Sequence, residues 1–183
     1  MPNLAKLLET AELADLGPGP RAGVLPEKQL EDSLREASEE SQMSPTNRQL
    51  VRALVLLWHD HLDPAHTLAQ SIENADGAYV HGIMHRREPD YGNAAYWFRR
   101  VGRHQAFPEL ARRTAELLAK IPNNSLRSRL LPKGDWDPFA FIDACEQAAG
   151  GAVPKADQNL LREIQRIEFE VLLAYLVGDD VRL

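Results

Sequence analysis

Cysteine is nearly absent: Cys145 is the only one in 183 residues, so no disulfide can form within the chain and zinc frameworks of four thiolates are excluded. Its surroundings, Phe139 to Ala149, have helical spacing, which predicts a small apolar core residue rather than a reactive thiol. Long hydrophobic runs are missing too. Even Leu50 to Trp58 is interrupted by Arg52 and followed by His59 and Asp60, and nothing approaches the ~20 apolar residues of a membrane span. The start, Met1-Pro2-Asn3-Leu4 with Glu9 and Glu12 soon after, lacks the basic and apolar regions of a signal peptide. A cytoplasmic location is therefore expected. Neither a glycine-rich phosphate loop nor a G-x-S-x-G nucleophile elbow occurs.

Positive charge is in deficit overall, and the net charge of −6 argues against general affinity for nucleic acid or anionic membranes. The average conceals a division. Residues 1–44 carry 4 basic and 9 acidic side chains, whereas residues 86–113 carry 7 arginines against 3 acids. The N-terminal part is acidic and the middle of the chain is locally arginine-rich.

What the sequence has in quantity is helical punctuation. Apolar positions at Leu4, Leu7, Leu8, Ala11 and Ala14 predict a helix over residues 3–15, ended by Gly17-Pro18-Gly19-Pro20 and followed by a surface linker over 17–26. A polar helix is predicted from Pro26 to about Glu40. Ser44-Pro45, Asp63-Pro64 and Asp137-Pro138 pair a capping side chain with proline at the first helical position. They predict helices from Pro45 to a break near Leu62, with Leu50, Leu54, Leu57 and His61 on one face, from Pro64 to about Glu73, and from Pro138 to the Gly150-Gly151 pair. Further helices are predicted over Ala75 to Glu88, Tyr91 to Val101, Pro108 to Ile121 and Asp157 to Val177. No segment alternates as a strand would. The expected fold is all-α, an irregular array of antiparallel helix pairs without a sheet. Residues 1–44 supply acidic N-terminal helices and a linker, and 45–183 a helical domain, the whole forming one compact domain.

Most of the unusual residues lie in HGIMHRREPDYGNAAYWFRRVGRH, from His81 to His104. Its Gly82, Asp90-Tyr91, Ala94 and Phe98 resemble a single tetratricopeptide-type repeat, in which small residues let two antiparallel helices approach closely. It departs from that pattern where His85 replaces an aromatic and Pro108 falls late. No neighbouring segment repeats at the expected period, so a regular solenoid is not expected. With WHDHLDPAHTLAQSI upstream, the segment also resembles a family of bacterial and fungal helical proteins that carry similar HGIMHRRE and NAxYWFRRVG strings, over residues 50–110. The resemblance implies a helical fold and no particular chemistry.

Five of the six histidines fall in or just before this region: His59, His61, His66, His81 and His85. On a helix, His81 and His85 are one turn apart, the spacing two imidazoles need to hold one metal ion. With His59 or His66 nearby, three or four ligands become available for a divalent transition metal such as zinc, manganese or iron. The bland reading has the same imidazoles bonding to carboxylates and carbonyls between helices. The glutamate of an HExxH zinc motif is missing, since Gly82 and Ile83 stand there.

Arg86, Glu88, Tyr96 and Arg99 complete the candidate site. Arginine forks suit carboxylates or phosphates and aromatics stack on planar groups, so with His81 and His85 they compose a groove for an acidic peptide or small anion. The competing expectation is an ion-pair network of Arg86, Glu88, Asp90 and Arg99 across the hairpin turn. Two functions follow from the residues. The first is a non-enzymatic helical interaction domain with that anion-accepting groove. The second is a metal-dependent, hydrolase-like enzyme in which Glu88, Asp60 or Asp63 serves as base for a metal-bound water.

Overall fold

The structure is a computed structural model and describes residues 4–38, 43–121 and 125–178. Helices form where a cap meets an apolar stripe. Ser44 Oγ accepts the Asn47 N–H at 3.0 Å to start α2 (Pro45–Trp58), Asn74 Oδ1 accepts from Gly77 at 2.8 Å to start α4 (Ala75–Arg87), and Asp90 accepts from Asn93 at 3.1 Å to start α5 (Tyr91–Val101). Around them lie α1 (Glu27–Ser38), α3 (Leu62–Ala69), α6 (Phe107–Ala119), the short α7 (Leu126–Leu130), α8 (Pro138–Ala149) capped by Asp137, and α9 (Lys155–Val177). The fold is all-α, with no strand among the described residues. None of its helices is long and apolar enough to cross a membrane.

Two hydrophobic clusters form the interior and α9 belongs to both. Its Leu160, Leu161, Ile164 and Val171 pack among α6, α7 and α8, while Phe169, Leu172, Leu173 and Leu176 join α2, α3, α4 and α5. Helix α4 is the most enclosed: every residue from Gly77 to Met84 is buried, and so are Arg86 and Arg87. It lies against α5 at a point where only glycine fits. A Cβ at Gly82 would stand 2.8 Å from the Phe98 ring, closer than packed carbon atoms sit.

Two expectations about the elements are overturned. Instead of a helix over 3–15 the chain makes one 3-10 turn, Leu4–Leu8, and then runs irregularly to α1. Its carbonyls are taken by side chains from far away: Glu12 O accepts from Arg21, Leu13 O from Arg162, Ala14 O and Asp15 O from Gln165, and Gly17 O from Arg87. A helix would have consumed those acceptors itself. The segment 17–26 is thus no free linker, and Arg21 within it is buried. Likewise Asp63-Pro64 does not open α3. That helix begins two residues earlier, at Leu62 behind His61, which supplies no side-chain cap, and it ends at Ala69 rather than near Glu73.

The reason lies in how α2 ends. Asp60 takes a left-handed φ of 65°, the Asp60 N–H donates to Leu57 O and the His61 N–H donates to Leu56 O, a Schellman closure that sets His61 at the threshold of α3. α2 ends at Trp58, short of the predicted break near Leu62, and α6 ends at Ala119, short of Ile121, while the predicted end of α1 at Glu40 lies outside the described residues.

The expected network of Arg86, Glu88, Asp90 and Arg99 does not form. Arg86 turns inward to make a two-pronged pair with Glu168 of α9, Nη1 to Oε1 at 3.1 Å and Nη2 to Oε2 at 2.5 Å, with its guanidinium 4.5 Å from the Phe141 ring. Arg87 binds Asp60, Leu57 O and Gly17 O. Asp90 is occupied as the α5 cap, and Arg99 is exposed. Removing one partner of a buried pair strands the other's charge. We therefore expect Glu168→Ala to cost about 3–5 kcal/mol, and Glu88→Ala, at the surface, less than about 1 kcal/mol. Urea unfolding of the two variants measures both, and equal losses would contradict this ordering.

Candidate metal centre

The six histidines divide into two groups by what their ring nitrogens touch. His59 accepts the Leu25 N–H on Nδ1 at 3.1 Å, so its Nε2–H donates to Leu7 O at 2.8 Å. His61 Nε2 lies 2.8 Å from Leu25 O. His104 accepts from Ala106 on Nδ1 and faces Asp76 through Nε2 at 2.8 Å. These three fasten the N-terminal strap before α1 and the far end of the α4–α5 hairpin to the core. His59, expected as a ligand, is thereby committed elsewhere: both of its nitrogens are used, by Leu7 in the 3-10 turn and by Leu25 just before α1.

His66, His81 and His85 form the second group. Their ligand atoms lie within 4.8 Å of one another, the only such His, Cys or carboxylate trio found among the described residues. The His66 ring centroid is 4.7 Å from that of His81 and 5.5 Å from that of His85, and His81 and His85 are stacked at 4.9 Å. The spacing explains the convergence. His81 and His85 are one turn apart on α4, and the short α3 crosses in front of that face, bringing His66 to them. The expected approach of His81 and His85 to the earlier histidines is met by His66 alone.

His81 is the anomaly. It is only 4% exposed, and neither of its ring nitrogens has a hydrogen-bond partner. Burial, helped by the neighbouring His85 and His66, lowers its pKa to about 4, so it is a neutral base at pH 7. Burial also lowers the pKa of His85, against the opposing pull of Glu88. The Glu88 Oε2 stands 3.2 Å from His85 Nδ1 without the alignment of a hydrogen bond. An unsatisfied polar atom in a core costs about 1–3 kcal/mol. A buried imidazole with two of them needs a reason to be there.

Trp97, which is not among the expected site residues, is a member of the site. Its ring is stacked on His81, centroids 4.0 Å apart and planes 19° from parallel, and this contact fixes the imidazole plane in place of a hydrogen bond. The available signal was adjacency: Trp97 precedes Phe98, whose ring lies against Gly82, the residue after His81. Tyr96 is 46% exposed, and the Arg100 guanidinium lies 5.3 Å from the Trp97 ring. Of the six residues expected to bind a ligand, His81, His85 and Glu88 come together, Tyr96 and Arg99 stand on the outer side of α5, and Arg86 is sealed against Glu168. Of the two aspartates considered as bases, Asp60 is held by Arg21 and Arg87, while Asp63 is exposed.

Three imidazoles from two helices, two of them with pKa values lowered by burial and one of these orphaned, are the kind of donor set that a divalent transition metal takes. Nitrogens bound to one tetrahedral ion stand roughly 3.3 Å apart, so closure asks the rings to contract by about 1–1.5 Å, which small side-chain rotations supply. Compared with family models, with curated proteins and with solved structures, the chain finds no match.

The protonation of His81 has a measurable consequence. The unfolded chain takes a proton on this imidazole near the ordinary value of 6.5 and the folded chain only near 4, so its contribution to stability is intact above pH 6.5 and is lost as pH falls toward 4. In chelator-treated protein, His81→Phe should keep the stack on Trp97, remove the unsatisfied nitrogens and raise Tm. It should also flatten the fall in Tm between pH 7 and pH 4.5. Thermal unfolding across that range checks this; a variant as acid-sensitive as the parent would assign the sensitivity to another group.

Proposed function

We propose that this chain is a metal-binding helical protein whose His66, His81 and His85 hold one divalent transition-metal ion. The observation that carries the reading is the buried His81, with both nitrogens unpartnered and two further imidazoles beside it. Glu88 sits where it orients His85 through Nδ1 and presents Nε2 to the ion, the carboxylate–histidine–metal arrangement of an outer ligand shell. That position suits it to orientation more than to the role of base. Three protein ligands leave a coordination position open, the arrangement of catalytic rather than structural zinc sites. A metal held there polarises a substrate oxygen or lowers the pKa of a bound water. The protein's part is to keep the imidazoles neutral and the Trp97 side dry.

This reading stands ahead of the anion-accepting interaction domain because Arg86, the basic residue nearest the histidines in sequence, is spent on Glu168. Protein expressed without a polyhistidine tag, stripped with chelator and titrated with Zn²⁺ or Co²⁺ tests it. One equivalent should bind, with Co²⁺ giving the visible absorption of a tetrahedral nitrogen site and quenching Trp97 fluorescence. His81→Gln should weaken binding at least 100-fold, and Glu88→Gln about 10- to 100-fold. Tm should rise with metal concentration. No stoichiometric metal and an unmoved Tm would overturn the proposal, and a Tm raised by phosphate instead would return the anion reading to the front.

A further inference from the structure

The direction from which the centre is approached follows from what covers each ligand. His81 is buried beneath Trp97, whereas His66 and His85 are half-buried. The way in is therefore past His66, His85 and Glu88. Glu88 also lines an open groove, whose other walls are Pro18 to Pro20, Asp60, Leu62, Asp63 and Asp90 and which none of the three histidines lines. Helical spacing sets groove and centre beside each other. His81, His85 and Glu88 run down one face of α4 at intervals of four and three residues, and Asp63 precedes His66 by three on α3. Glu88 belongs to both, touching His85 at 3.2 Å and lining the groove.

The lining is acidic and its compensation is internal. Asp60 is paired with Arg21 and Arg87, both buried behind it, and their remaining donors go to Thr10 Oγ1 and to the carbonyls of Glu12, Gly17 and Leu57. Asp63 and Asp90 form no ion pair among the described residues, and Glu88 has only the half-buried His85. Hydrogen bonds from Asn93 hold the Asp90 carboxyl in place as the cap of α5. The mouth thus presents three carboxylates and no lysine or arginine.

We infer that the centre takes a substrate with a protonated amine or guanidinium, held by Asp63 and Asp90 in the groove while its carbonyl or other metal-seeking oxygen reaches the ion. The inference rests on the metal-binding reading above and adds the substrate class. Charge alone would not fix the arrangement; the division of labour does. The ion seeks an oxygen or nitrogen lone pair and the carboxylates seek a cation, so a molecule carrying both groups a few bonds apart is bound at two points, and an acidic one is repelled at the mouth.

The test uses the zinc-loaded full chain and three hydroxamates of Nα-acetylated amino acids, which share a metal-seeking head and differ in charge only through the side chain: the lysine, leucine and glutamate compounds, titrated by calorimetry. The lysine compound should bind at least tenfold more tightly than the leucine compound and the glutamate compound more weakly than either. The lysine preference should shrink as salt rises. The double variant Asp63→Asn, Asp90→Asn, which keeps a capping side chain on α5, should retain zinc and leucine hydroxamate affinity but bring lysine to within about twofold of leucine. Equal affinities, or a preference for glutamate, in protein that still holds zinc would overturn the substrate class and leave the metal reading standing. Protein that takes up no zinc would overturn the metal reading, and with it this inference.

Discussion

Two guanidinium groups at the C-terminal turn of α4 have no route to water, and the fold is arranged to meet them. Arg86 is answered by Glu168 from α9, 82 residues away in sequence, and Arg87 by Asp60 at the end of α2, by Leu57 O and by Gly17 O. A buried charge without its partner is worse than no charge at all. These pairs therefore act less as a source of stability than as a condition on topology: α2, α4, α9 and the N-terminal strap must all arrive in register, or Arg86 and Arg87 are stranded. Asp60 also explains a backbone oddity. A non-glycine residue at φ 65° is tolerated there because its carboxylate receives two arginines.

Fixing α4 on those two sides decides what its third side can do. With Arg86 locked to α9 and Gly82 pressed on Phe98, the helix cannot rotate, and the face carrying His81 and His85 is held toward α3. His66 comes to that face because the Schellman closure at Asp60 starts α3 immediately after α2. The geometry of the three imidazoles is thus set by ion pairs and close packing made by their chain neighbours, Gly82 beside His81, Arg86 beside His85 and Asp60 shortly before His66, while the rings themselves keep lone pairs unspent. This is how a preorganised ligand set is built: the supporting shell carries the rigidity and the first shell carries the chemistry.

The helices were legible in the sequence wherever caps and breakers are local, as at Ser44-Pro45, Asp90-Tyr91 and Asp137-Pro138. Asp63-Pro64 misled because the same words occur inside a first turn when the preceding helix closes tightly. The N-terminal stripe misled more deeply. Leu4, Leu8 and Ala14 are buried as a helix would bury them, yet the donors that claim the backbone between them, Arg162 and Gln165, lie about 150 residues further on, and no local pattern foretells that. In the candidate site, the spacing of His81 and His85 was readable and so was the nearness of His66. His59 looked like an equal candidate because a sequence gives residue types without the tally of their bonds. Arg86 was placed in the groove since a helical wheel gives a face without saying which neighbour covers it. Apolar residues all round α4 were the available hint that its arginines point inward.

The contrast between His59 and His81 carries the functional argument further than proximity does. Both are buried imidazoles in one core and both have lowered pKa values with desolvation as the first cause. His59 recovers the cost of burial through Leu7 O and Leu25 N–H and is explained by structure alone. His81 recovers nothing from hydrogen bonds. A phenylalanine at position 81 would stack on Trp97 as well and leave no orphaned nitrogen, so packing gives no preference for histidine there. What histidine adds is a neutral nitrogen lone pair in a dry place, beside two more on rings free to close upon it. That property serves metal coordination far better than it serves a core, and this difference is what supports the proposed metal-binding reading.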